Sequence, residues 1–235
     1  DAFRGKPSQF EFTTVNARIF DSNFIPVRAP AGHIQYLLGV TEDITERKQA
    51  EMALDAGLQG MRALHAIISD QALSFGDKIQ ALLSMGCGRF GLPIGIMSHL
   101  EGDRYQVMQV VAPGAAIVSG SIFFTGGTYC SETIKTTDIV CFEHAKESSW
   151  KSHPAYADMK LEAYIAIAVR VQGQVYGTIS FSSPEPRRIP FTDTDKEILK
   201  LMAHWVESEL ERQQTEAVTT RLGRILDDSS NEIYI

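Results

Sequence analysis

The chain has 235 residues, 44% of them apolar and 22% charged, which suits one ordinary domain with additional pieces and excludes wholesale disorder. Its 22 basic residues are scattered among 29 acidic ones for a formal charge of −7, so the basic stripe of a nucleic-acid binder is missing and no such partner is expected. No apolar run approaches the ~20 residues of a spanning helix and no signal peptide opens the chain, so no membrane contact is expected.

Asp1 begins without Met or a helix start, and Ile233-Tyr234-Ile235 stops as an apolar segment begins, so both ends read as cut from a longer chain. Phe10 to Thr14, Ala17 to Phe20, Phe24 to Val27 and Ile34 to Val40 are short β-branched and aromatic runs, with turn chemistry at Ala29-Pro30-Ala31-Gly32. They predict an antiparallel meander too small to bury a core alone.

From Asp43 the pattern turns helical. Asp43 is a cap candidate with Glu46 three residues on, and Leu54, Leu58, Met61, Leu64 and Ile68 form a single narrow stripe, the width that packs against one or two other helices. Gly57 and Gly60 weaken this helix.

A second helix is predicted at Asp77 to Phe90, followed by a hairpin of Ile94 to Leu100 and Tyr105 to Val111 about Glu101-Gly102-Asp103. Tyr129 to Thr136 reads as a short helix after Gly126-Gly127, Val140 to Phe142 as a strand, and His144 to Lys160 as a long connection with little regular pattern. Tyr164 to Val171 and Val175 to Ser182, joined through Gln172-Gly173-Gln174, predict the central hairpin. Thr192 with Asp195 resembles a capping box, and Ile198, Leu199, Met202, Trp205, Val206 and Leu210 mark an amphipathic helix that continues toward Ile225. The fold class is therefore α+β, an antiparallel sheet with flanking helices.

Three cysteines at wide spacing, Cys87, Cys130 and Cys141, suit reduced thiols and a cytoplasmic location. Cys130 opens a short helix, where the dipole lowers a thiol pKa, although a small packing residue explains it better. His99, His144 and His153 have no metal-ligand spacing, so no metal is expected. Phe124, Tyr129, Cys130, Trp150, His153, Tyr156 and Tyr164 are the candidate lining of a small-ligand pocket, with a sealed apolar core as the alternative of equal weight.

Two stretches carry a family resemblance. Pro26-Val27-Arg28, Gly32 to Val40 and Thr41-Glu42-Asp43-Ile44-Thr45-Glu46-Arg47-Lys48 resemble the C-terminal half of a PAS domain and the junction before a signalling helix. Thr128 to Thr133, Ser149-Trp150, His153-Pro154, Leu161 to Ile165, Tyr176-Gly177-Thr178, Phe181 to Pro186 and Pro190-Phe191-Thr192 resemble a GAF subfamily of bacterial sensor histidine kinases and diguanylate cyclases. Ile225 to Ile235 is similar to the opening of a further PAS domain. The organisation implied is a PAS remnant over 1–44, a linker helix over 45–70, a GAF domain over 71–212, and a helix with the start of another module over 213–235.

The resemblance implies a non-catalytic sensory and relay region, a homodimer through its flanking helices, and a relay running through Asp43, Thr45, Leu58 and Met61. A small-molecule ligand is a possible partner; its identity is open, and no cofactor is expected to be covalently bound. Bilin-binding relatives attach chromophore at a Cys followed by His, which none of the three cysteines has. Against the cyclic-nucleotide signature, Phe191 and Asp195 keep the spacing but Lys196 replaces a Glu, and against the methionine sulfoxide reductases Tyr156 stands where a catalytic Cys belongs. Two alternatives stay open: a thiol redox enzyme or sensor using Cys130, and a ligand-free dimerisation spacer.

Overall fold

The computed structural model describes residues 2–114 and 117–230, with side chains to Arg224. The chain divides into two compact units, Asp1–Gln59 and Gly60–Ile235. The apolar segment Ile233-Tyr234-Ile235 lies outside the described residues.

In the first unit, β1 (Ser8–Thr13), β2 (Ile19–Arg28) and β3 (Ile34–Asp43) form an antiparallel sheet in the order β1-β2-β3. The two short strands expected around Asp21-Ser22-Asn23 are a single strand. The polar triplet reads as a break in sequence, yet its side chains pair across the sheet: Ser22 with Thr41 at 2.8 Å, and Gln9 Nε2 donating to Asp21 at 2.7 Å. The turn into β3 has Gly32 at φ +85°, a left-handed conformation suited to glycine.

Helix α1 (Thr45–Ser69) is continuous. Its start is tied down by side chains: the Thr45 N–H donates to Asp43 Oδ1 at 3.0 Å, and Thr45 Oγ1 accepts from the Ile19 N–H at 2.9 Å. The hydrogen bonds from Thr45, with the nearby Arg18, hold the Asp43 carboxyl below its ordinary range. The expected apolar stripe divides in two. Leu64 is buried and Ile68 packs against the core of the second unit, whereas Leu54, Leu58 and Met61 are exposed. Gly60 explains the divide, because a Cβ there would lie 2.4 Å from Ile198 Cδ1. The glycine that weakens the helix in isolation is what lets it approach its neighbour.

The second unit is built on a six-stranded sheet in the order β6-β5-β4-β9-β8-β7: β4 (Ile94–Glu101), β5 (Arg104–Val111), β6 (Ile122–Phe124), β7 (Val140–Phe142), β8 (Ala163–Val171) and β9 (Gln174–Ser183), every pair antiparallel. The β8–β9 turn places Gln172 and Gly173 at φ +51° and +78°, the left-handed pair of a two-residue hairpin loop. Helix α2 (Phe75–Phe90) starts two residues earlier than its apolar pattern, because Ser74 and Asp77 form a capping box, and it ends on Gly91 at φ +66°.

The period of two sends alternate residues to opposite faces of this sheet. One face carries Ile165, Ile167, Val169, Ile179 and Phe181 into a core with α2 and the first half of α5 (Asp193–Ser230), whose Ile198, Leu199, Met202 and Val206 are buried. The other carries Ile96, Tyr105, Val107, Tyr164 and Ala166 under a cover made from residues 129–161. That cover contains α3 (Cys130–Thr133), shorter than the helix expected, and α4 (Pro154–Met159), with two 3-10 turns inside the connection that carried no pattern in sequence. Glu162 pins it: Oε1 accepts from the Tyr156 hydroxyl at 2.7 Å, Oε2 from the Lys146 N–H at 3.0 Å, and its backbone carbonyl from the Ala145 N–H at 2.8 Å. The α+β sheet-and-helix fold class is as expected.

Candidate functional site

Between the sheet and its cover lies a cavity of about 370 Å³, lined by Ile94, Ile96, Tyr105, Ile117, Phe123, Thr128, Tyr129, Cys130, Met159, Leu161, Tyr164, Ser180, Ser182 and Pro184. Its rim is apolar and partly exposed, and its floor is buried and polar. The floor groups Tyr164 and Cys130 bond to each other and to hydroxyls of Thr133 and Thr178 just behind the lining. The Tyr164 hydroxyl lies 2.9 Å from Thr133 Oγ1 and 3.3 Å from Cys130 Sγ; Thr178 Oγ1 donates to Cys130 Sγ at 3.3 Å and meets Ser98 Oγ at 2.9 Å. The Tyr105 hydroxyl interacts with Ser98, Ser180 and Cys130. Burial raises the pKa of Tyr105 and Tyr164 well above the ordinary phenol value, so both stay neutral hydrogen-bonding groups.

Of the residues named from sequence, Tyr129, Cys130 and Tyr164 line this cavity. Trp150 and His153 stand one layer behind, their rings 5.7 and 5.1 Å from that of Tyr129, edge-on for Trp150 and tilted for His153. Tyr156 is turned to Glu162 and is not in the lining. Phe124 is 65% exposed, because strand alternation points its neighbour Phe123 inward in its place. Sequence reasoning missed Tyr105, Ser180 and Ser182. The signal was available in β9, where small polar residues alternate with Ile179 and Phe181 and so mark the opposite, roomier face.

Tyr129 is the keystone of the wall. Its ring meets Phe142, Trp150, His153 and Tyr164 with centroids 4.9 to 5.7 Å away, and its hydroxyl donates to the Leu161 carbonyl at 3.2 Å. Burial, with Glu162 nearby, pushes its pKa up to about 12.

His153 caps α4: its Nδ1 accepts from the Ala155 N–H at 3.1 Å, which fixes the proton of the neutral ring on Nε2, 3.5 Å from Ser131 Oγ. Burial holds its pKa below the ordinary 6.5, with Glu132 pulling up and Lys135 pushing down. A lowered histidine pKa makes the unfolded chain the better proton acceptor, so this contribution is complete above pH ~6.5 and is lost as pH falls from there through the folded pKa. Urea midpoints are expected to decline over that window, and His153→Asn, which keeps a capping acceptor without titrating, to decline less; equal declines would contradict the assignment.

The chemistry available at Cys130 is limited by its neighbours. Its partners are the hydroxyls of Tyr164 and Thr178, with Tyr105 adjacent, and none of these is a cation or a general base. Burial raises the Cys87 thiol to about 11 and also raises that of Cys141. Among the described residues, no group of three or more His, Cys, Asp or Glu side chains is placed to hold a metal, and no helix is long and apolar enough to cross a membrane.

The family model for the GAF domain matches residues 58–210. The chain belongs to the GAF family. GAF domains are sensory domains of signalling proteins, typically without catalytic activity. Among solved structures, the GAF domain of a phosphoenolpyruvate-protein phosphotransferase from Acinetobacter is 15% identical over 70% of this chain and 95% of that one, with a TM-score of 0.56. The chromophore-binding domain of an unusual bacteriophytochrome from R. palustris is 13% identical over 90% and 75%, TM-score 0.56. The free methionine-R-sulfoxide reductase of Neisseria meningitidis, in complex with its substrate, is 14% identical over 67% and 93%, TM-score 0.53. At these identities the likeness is one of fold. Comparison with curated protein sequences finds no match.

Proposed function

We propose that this chain is the non-catalytic sensing and relay region of a multidomain signalling protein, a sensor histidine kinase before a diguanylate cyclase, in which occupancy of the GAF cavity is passed to flanking helices. The observation that carries the reading is the two-faced sheet. Ser180 and Ser182 line the cavity while Ile179 and Phe181 on the same strand pack into the helical core, so a shift of β9 acts on both sides at once. A ligand moves the balance of two states only by its differential affinity for them, and packed cores pass such shifts on because they rearrange discretely.

Residues 1–44 fit a PAS remnant, followed by the linker helix. These residues form a three-stranded antiparallel sheet, and the Asp43-Ile44-Thr45 junction starts α1 directly from β3. A parallel homodimer through α1 and α5 is supported by exposed apolar residues on both: Leu54, Leu58 and Met61 on α1, Val218 and Leu222 on α5. A side chain of this size contributes about 2 kcal/mol when buried, so Leu58→Gln with Met61→Gln weakens association at least ~100-fold. Light scattering at micromolar concentration should show the native dimer reduced to monomer; an unchanged dimer mass would contradict the helix pairing.

A further inference from the structure

We infer that the cavity takes a small, largely apolar ligand that carries no formal charge and offers one or two hydrogen-bonding groups, such as a hydroxyl, a carbonyl or a ring N–H. This rests on the sensory reading and narrows it to a ligand class. None of the lining residues is Asp, Glu, Lys, Arg or His. A phosphate, carboxylate or zwitterion would therefore leave water without a counter-ion, which is a large cost in a buried site.

The polar floor does not ask for an ion either. The hydroxyls of Tyr164, Thr133, Thr178 and Ser98 and the Cys130 thiol already satisfy one another. Among the described residues, the buried side-chain atoms without a partner are Asp21 Oδ1, Thr125 Oγ1 and Arg170 Nε, and none of these residues lines the cavity. A network of this kind accommodates one neutral handle by rotating a hydroxyl, since each phenol or alcohol both donates and accepts. Of the charged residues adjacent in sequence to the rim, Glu162 beside Leu161 is occupied by the Tyr156 hydroxyl and the Lys146 N–H, and Asp158, Lys160 and Glu185, beside Met159, Leu161 and Pro184, are exposed and absent from the lining. At about 370 Å³ the space sits near the small end of ligand cavities, and its lining is mostly apolar.

The test uses the whole 235-residue chain and matched probes: indole against indole-3-acetate, and p-cresol against 4-hydroxyphenylacetate, the second of each pair adding a carboxylate. Calorimetric titration and thermal shift are expected to show the neutral member binding at least ~30-fold tighter. Ser180→Leu, which fills the floor, should abolish binding of the neutral probes while circular dichroism stays native. Met159→Lys, which puts a cation in the lining, should narrow the gap between the members of each pair. Acids that bind the native chain as tightly as their neutral partners would overturn the uncharged class and leave the sensory reading standing. Binding of no probe from either set would overturn both.

Discussion

Replacing Asp195 by alanine is expected to destabilise the Gly60–Ile235 unit by about 3–5 kcal/mol, the cost of breaking a buried ion pair from one side. The Asp195 side chain is 6% exposed, and its carboxylate accepts from Arg89 Nε at 3.0 Å and faces Arg187 Nη2 at 3.6 Å. The Arg89 and Arg187 side chains are themselves only 19% and 16% exposed, and alanine would remove the counter-charge that they share. The same carboxylate closes the capping box of α5, with the Thr192 N–H donating to Asp195 Oδ2 at 3.0 Å and the Asp195 N–H donating to Thr192 Oγ1 at 3.1 Å. Arg187 in turn donates to the Phe90 carbonyl at 3.0 Å and lies over the Phe191 ring at 4.2 Å, so the cluster joins the end of α2 to the start of α5. Asp195→Asn keeps the cap acceptor and loses the charge, and should fall between native and alanine in denaturant titration. A loss below about 1 kcal/mol for Asp195→Ala would show that the cluster is solvated and does not hold the two helices.

Gly177→Ala should be of similar severity, about 3 kcal/mol or more, for a steric reason. A Cβ at Gly177 would lie 1.8 Å from the Ser98 carbonyl oxygen and 3.2 Å from His99 Cα, all backbone that no side-chain rotation can clear. Gly177 pairs with His99 across β4 and β9, the two central strands, so relief requires the sheet itself to part. Ser98, Thr178 and Ser180 sit beside that seam, and loss of stability should therefore come with loss of the cavity's polar floor. Gly88→Ala is the matched control, because it is exposed in α2 with no atom within 4 Å of the added Cβ. It should stabilise by about 1 kcal/mol through helix propensity. Equal effects of the two substitutions on the urea midpoint would contradict the steric account.

The strands and helices that position the cavity were legible wherever local chemistry and burial agree. The β8–β9 hairpin announced itself by its apolar runs about Gln172-Gly173, and α5 by its capping box and the Ile198 to Leu210 spacing. Phe191 and Asp195, which share the spacing of a ligand-binding signature, are packing and ion-pair residues here. What sequence could not supply was what depends on the partner across space. Gly60 looks like a helix breaker until Ile198 is placed against it, and β2 looks interrupted until Ser22 and Asp21 find their cross-strand partners. The 144–160 connection has no periodicity because it is held by capping and side-chain bonds, those of His153 and Glu162 above all. Within the candidate site, the aromatic cluster was recognisable as a group, but Phe124 and Phe123 exchange roles because a one-residue step along a strand reverses the face.

The coupling of the cavity to the helices is most directly tested by hydrogen–deuterium exchange on the intact chain with and without saturating indole. The expected result is altered exchange in α5 residues 211–224, which lie outside the cavity lining, together with protection at the lining segments around Tyr105, Tyr129 and Ser180. Protection confined to the lining, with α5 exchanging at the same rate whether the cavity is filled or empty, would contradict a relay through the sheet.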